Sequence, residues 1–156
     1  LKVTSTTVGT MAAKVLHRNG GTFSVADLAA MEAYIEQRVR SYMLVDLDNV
    51  TLTAVEIEAV ITLDPDTTLE QVGKRAAASV AAFLDYRKWA FGTDVDEADL
   101  LTIVNTTNGV ASLETASFLP AADVAVASDS LPTLVRLSLE DADTGDTWNA
   151  DLAVSF

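Results

Sequence analysis

Residues 51–63 constrain this chain more than any other stretch. Val55, Ile57, Ala59, Ile61 and Leu63 fall on one side of a period-2 pattern, and Glu56, Glu58 and Thr62 on the other. That alternation predicts a long, half-buried strand. Asp64-Pro65-Asp66 ends it, since proline has no amide to give a ladder. A helix is expected next, with Thr67 as N-cap and Glu70 reaching back to the Thr67 amide in a capping box. Leu69, Val72, Ala76, Val80, Phe83 and Leu84 recur at helical spacing and form its apolar stripe. A strand with one greasy face followed by a helix with one greasy stripe calls for a helix-on-sheet layer, so the fold is expected to be organised around Val50 to Phe118.

The flanking segments extend this pattern. Leu1 to Thr10 reads as an edge strand or the tail of an upstream domain, and Met11 to Arg18 as a short strand ending at Asn19-Gly20-Gly21. Ser24 is the expected cap of a first helix, with Asp27 three residues on and Phe23 placed to staple onto Leu28. Leu28, Met31, Ile35 and Val39 form its buried stripe, with Glu32, Glu36, Arg38 and Arg40 assigned to solvent. Tyr42 to Leu47 reads as a strand that turns at Asp48-Asn49 into the central one. Asp96 starts a short helix carrying Leu100, Leu101, Ile103 and Val104, which Val95 staples and Asn108-Gly109 ends, before a strand at Val110 to Phe118. Leu134 to Glu140 and Thr147 to Phe156 read as a hairpin around residues 141–146.

The fold class this order predicts is α+β: a ferredoxin-like βαββαβ sandwich with an extra short helix and a C-terminal β-hairpin extension. Its four strands would form one antiparallel sheet with both long helices on one face, burying Leu28, Met31, Ile35, Ile57, Ile61, Val72, Val80 and Phe83. The expected division is an N-terminal extension or upstream remnant (1–10), a core domain (11–119), and a linker with the hairpin (120–156).

Charge narrows the partners. With 23 acidic against 10 Lys and Arg residues, the chain has a formal net charge of -13. Such a surface repels nucleic acid and anionic lipid, so neither is an expected partner. No run approaches the roughly 20 apolar residues of a membrane span, and no basic-then-apolar leader opens the chain. Because residue 1 is Leu, the chain is expected to be processed or part of a longer protein. Asp-rich, Lys-poor composition resembles that of proteins from salt-loving organisms; an ordinary acidic protein and a basic partner remain alternatives.

Catalytic patterns are scarce. Cysteine is absent, which removes disulfides and thiolate metal sites. His17 is the single histidine and has no orienting partner in local sequence, so it is read as structural or solvated. Nucleophile-elbow, phosphate-loop, zincin and dinucleotide motifs do not occur. Four Asp-x-Asp pairs (46/48, 64/66, 94/96, 141/143) flank expected turns or helix starts, where Asp caps amides. Asp141, Asp143 and Asp146 around Gly145 are the best calcium candidates, but the spacing departs from a calcium loop, and a plain hairpin turn is preferred. No catalytic residue, metal or cofactor is expected. Trp89 and Phe91, which follow Arg87-Lys88, either seal the end of the central helix or anchor a partner protein; Trp148 and Phe156 are the further candidate anchors.

From His17 onward the order of motifs resembles the C-terminal half of the baseplate J family, wedge proteins of phage tails and contractile injection machines. The matching segments are Arg18-Asn19-Gly20-Gly21-Thr22 with the Ser24 helix, the alternating strand Val50 to Asp64 with its Pro, and the amphipathic helix Leu69 to Leu84. Asp99-Leu100-Leu101 with Gly109-Val110, Ala121-Ala122-Asp123-Val124 and Leu131-Pro132-Thr133-Leu134 complete the set. The family's N-terminal half has no counterpart here, Val135 stands where a Gly usually follows Leu134, and the hairpin through Trp148 runs past the usual end. The resemblance implies a non-enzymatic virion protein: a wedge subunit that links the tail hub to neighbouring wedge proteins. It would sit in many copies in a symmetric tail baseplate, assembled in the host cytoplasm with other baseplate and tail proteins. The alternatives are an acidic ferredoxin-like protein-binding module of a halophile, another tail or neck protein, or a small enzyme using clustered Asp residues.

Overall fold

The computed structural model describes residues 2–7, 9–18, 21–39 and 43–151. In chain order the elements are β1 (Lys2–Thr7), β2 (Thr10–Val15), α1 (Val25–Glu36), β3 (Leu44–Asn49), β4 (Thr51–Leu63), α2 (Leu69–Phe83), α3 (Glu97–Asn105), β5 (Val110–Leu113), a 3₁₀ turn (Thr115–Ser117), β6 (Ser130–Asp141) and β7 (Thr147–Asp151). The class is α+β, as expected, with three helices and two sheets among the described residues. The single ferredoxin-like sheet is not formed. The strands divide into a three-stranded sheet, β1-β2-β3, and a four-stranded sheet, β5-β4-β6-β7, and the chain divides into two compact units at Thr51/Leu52.

The first unit is a strand–helix–strand element with one added strand. β1 runs antiparallel to β2, as the outer strand expected near the N-terminus, with an irregularity between Thr4 and Thr7. β2 and β3 pair in parallel from Thr10↔Leu44 to Val15↔Asn49, the connection that a crossover helix permits. Lys14 and Asp48, opposite one another in this register, form an ion pair at 3.3 Å. The α1 cap is as expected: Ser24 accepts from the Asp27 amide, and the Asp27 carboxylate accepts from the Ser24 amide. Leu28, Met31, Ile35 and Val39 pack against the buried trio Ala13, Val45 and Leu47, but each of the four keeps part of its surface. Asn19, Gly20, Arg40 and Tyr42, which carried the expected glycine turn, helix end and strand start, lie outside the described residues.

The expected hairpin at Asp48-Asn49 is not one. Val50 alone separates β3 from β4, and the two strands belong to different sheets. Alternation tells which face of a strand is buried; it does not tell which sheet supplies the cover.

The second unit holds the main core. Val55, Ile57, Ala59 and Ile61 of β4 meet Val72, Ala76 and Val80 of α2, and Leu134, Leu137 and Leu139 of β6. Ile57, Ile61, Val72 and Val80 are fully buried as expected, and Phe83 is partly so. The α2 cap lies one residue later than expected: Thr68 accepts from the Gln71 amide. Thr67 instead donates its hydroxyl to the carbonyls of Asp64 and Gly109. Asp96 caps α3, and Val95 and Leu100 at that cap are both fully buried. The hairpin expected as an extension is part of this core. β6 lies between β4 and β7 and begins at Ser130, so its apolar face completes the sheet on which α2 packs.

Candidate functional site

Trp89 and Trp148, two of the four aromatic residues predicted as anchors, turn inward at opposite parts of α2. After α2 ends at the Leu84 cap, the chain returns through Asp85 to Lys88 and lays Trp89 against the last turn. The Trp89 indole N–H donates to the Phe83 carbonyl at 2.8 Å, and its ring meets Phe83 edge-on at 5.4 Å between centroids. This satisfies one of the carbonyls that every helix C-terminus leaves without an internal partner. Lys88 donates to the Ala82 carbonyl in the same turn. The helix-sealing alternative for Trp89 is therefore what the geometry displays. Phe91 is half-buried.

Trp148 sits on β7 opposite Leu139 of β6. Its ring fills the space over Gly73 in the N-terminal half of α2, where a Cβ would overlap the indole. The half-buried Trp148 thus joins β7 to α2 inside the unit. Phe156 lies outside the described residues.

The turn after β6 carries the calcium candidates. Asp141 is buried, and its carboxylate accepts from the Asp143 amide and the Thr144 hydroxyl. The Gly145 amide donates to the Asp141 carbonyl, with Gly145 at φ 72°, where glycine is at ease. These bonds use the Asp141 oxygens to build a turn. Among the described residues no group of three His, Asp or Glu side chains converges as metal ligands do.

A third junction brings together segments far apart in sequence. The Asp64 amide, at the end of β4, donates to the carbonyl of Gly109, just before β5. Arg75 of α2 donates to the neighbouring Asn108 carbonyl at 3.0 Å. Gly109 has φ 102°, and a Cβ there would crowd Val72 and Thr67.

In the first unit, an open groove of about 690 Å³ runs beside α1, lined by Val15, His17, Phe23, Met31, Tyr34 and Leu47 among others. His17 meets Phe23 edge-on at 5.2 Å. Arg38 stacks over the Tyr34 ring at 3.5 Å.

Two carboxyl groups are held below the ordinary range, the exposed Glu70 and the half-buried Asp85. Glu70 is lowered by its hydrogen bond to Lys74 at 2.6 Å, and Asp85 by its hydrogen bonds to Arg87. Both are local surface pairs, worth little individually.

Sequence reasoning missed three features: the Glu32 and Glu36 side chains, assigned to solvent; the Gly73–Trp148 contact; and the Asp64–Gly109 junction. Gly73 was detectable, since a glycine inside a helical pattern usually has a packing reason.

Among the described residues no helix is long and apolar enough to cross a membrane. No family model matches the sequence, and no curated protein matches it. A solved structure similar to this chain is the "Cryo-EM structure of the anti-feeding prophage (AFP) baseplate, 6-fold symmetrised", with a TM-score of 0.46 and 16% identity. The alignment covers 80% of this chain and 29% of that one, so this chain spans less than a third of the matched chain's length.

Proposed function

We propose that the chain is a structural subunit of a tail baseplate, a wedge component that binds neighbouring baseplate proteins and catalyses no reaction. The observation that carries this reading is the order of segments resembling the baseplate J family, three of which fall at junctions or buried positions among the described residues. Pro65 follows the end of β4, Gly109-Val110 opens β5 through the Asp64 junction, and Leu131-Pro132 lies buried at the start of β6. Trp89 and Trp148 both pack within the second unit while keeping part of their surface exposed, so packing and docking are compatible roles for them.

A second reading, an acidic protein-binding module, is favoured by the net charge of -13 alone.

Deleting the gene in the organism that makes the tail, and restoring it in trans, tests the proposal. Electron microscopy is expected to show tails without a complete baseplate, restored on complementation. Intact tails in the deletion strain would end this reading.

A further inference from the structure

The outer edge of β3 carries an unusual set of hydrogen bonds. Among the described residues β3 is a terminal strand of the three-stranded sheet, paired on one side only, with β2. The amide of Leu44 donates to Gly9, and that of Val50 donates to Val15, just beyond the last paired residue of β3. Even-numbered amides therefore face β2, and those of Val45 and Leu47 face outward. An edge strand normally leaves such amides to water or to another chain.

Here both are taken by α1. The Val45 amide donates to Glu36 Oε1 at 3.1 Å, and the Leu47 amide to Glu32 Oε1 at 2.8 Å. The next outward residue, Asn49, binds the chain just ahead of α1 through its side chain, accepting from the Phe23 amide at 2.7 Å and donating to the Phe23 carbonyl at 2.9 Å. The fit has a simple origin. Four helical residues rise about 6.0 Å, and two strand residues about 6.6 Å. Glutamates one turn apart on a helix laid along a strand thus meet alternate amides. Their carboxylate oxygens stand where the carbonyls of an added strand would stand.

We propose that Glu32 and Glu36 close the β3 edge against strand addition by a second copy of this chain. A second copy is the natural competitor, because it presents the same strand, Leu44-Val45-Asp46-Leu47, with Leu44 65% exposed. Edge-to-edge pairing of identical strands is self-complementary about a two-fold axis. The carboxylates hold the two amides and place negative charge along the edge.

The full-length chain carrying Glu32→Ala with Glu36→Ala tests this beside Glu32→Gln with Glu36→Gln. Both pairs remove the same charge, but the glutamine carbonyl still accepts a hydrogen bond. Light scattering across a concentration series reads the mass, and amide hydrogen exchange reads Val45 and Leu47. The alanine pair is expected to at least double its mass as concentration rises, with roughly tenfold faster exchange of both amides when dilute. The glutamine pair is expected to keep the parent mass and exchange. A folded alanine pair at the parent mass overturns the proposal, as does a glutamine pair that associates equally. Should the alanine pair fail to fold, the single Glu36→Ala variant, which frees only the Val45 amide, must still show a concentration-dependent rise; a constant mass there also overturns it.

Discussion

The indole of Trp148 occupies the space in which a Cβ of Gly73 would stand. This contact ties β7 to the N-terminal half of α2, so the last described strand is a wall of the core. Gly73→Ala is expected to destabilise by about 1–3 kcal/mol, as overpacking does. Trp148→Ala is expected to cost roughly 2–4 kcal/mol through lost burial. The double variant should be more stable than the sum of the singles predicts, by about 1 kcal/mol or more, because alanine at 73 then has room. Denaturant melts of the four proteins measure this coupling; simple additivity would show that the two residues do not share the space.

Ile57 is fully buried between α2 and β6. Ile57→Asp places an unpaired charge there and is expected to cost about 4 kcal/mol or more. A variant that melts within a degree or two of the parent would contradict the core assignment.

Gly109 combines φ 102° with close approach to Val72 and Thr67 at the Asp64 junction. Gly109→Ala is expected to cost roughly 1–3 kcal/mol from backbone strain and crowding. Amide exchange should also quicken at Asp64, whose donor bond runs to the Gly109 carbonyl. Unchanged exchange at Asp64 would separate the glycine from the junction.

Removing Thr133 to Phe156 takes away most of β6, including Leu134, Leu137 and Leu139. The second unit is expected to lose its cooperative unfolding transition altogether. A truncated chain that keeps this transition would make the hairpin an appendage after all.

What was legible in the sequence follows from how local each interaction is. The Ser24–Asp27 capping box and the Asp96 cap lie within a few residues of chain and were readable. The α2 cap was misplaced by one because Thr67 and Thr68 are both good caps; Thr67 turns aside to the carbonyls of Asp64 and of Gly109, the second of them 42 residues away. Sheet membership was not readable, because the alternation in β3 and β4 is satisfied equally by one sheet or by two. Glu32 and Glu36 looked like solvent residues on helical periodicity, since no local pattern announces that a strand edge lies beside them. The packing of Trp148 and Trp89 against α2 was not readable because large aromatics serve interfaces and cores alike. The resemblance to a wedge protein rested on segment order, which no single contact in the fold encodes.

The most direct measurement is cryo-electron microscopy of tails assembled with this chain fused to a compact globular tag. The account predicts extra density at the baseplate in several symmetry-related copies. Tails that are complete and carry no tag density, with the tagged chain free in the lysate, would contradict it.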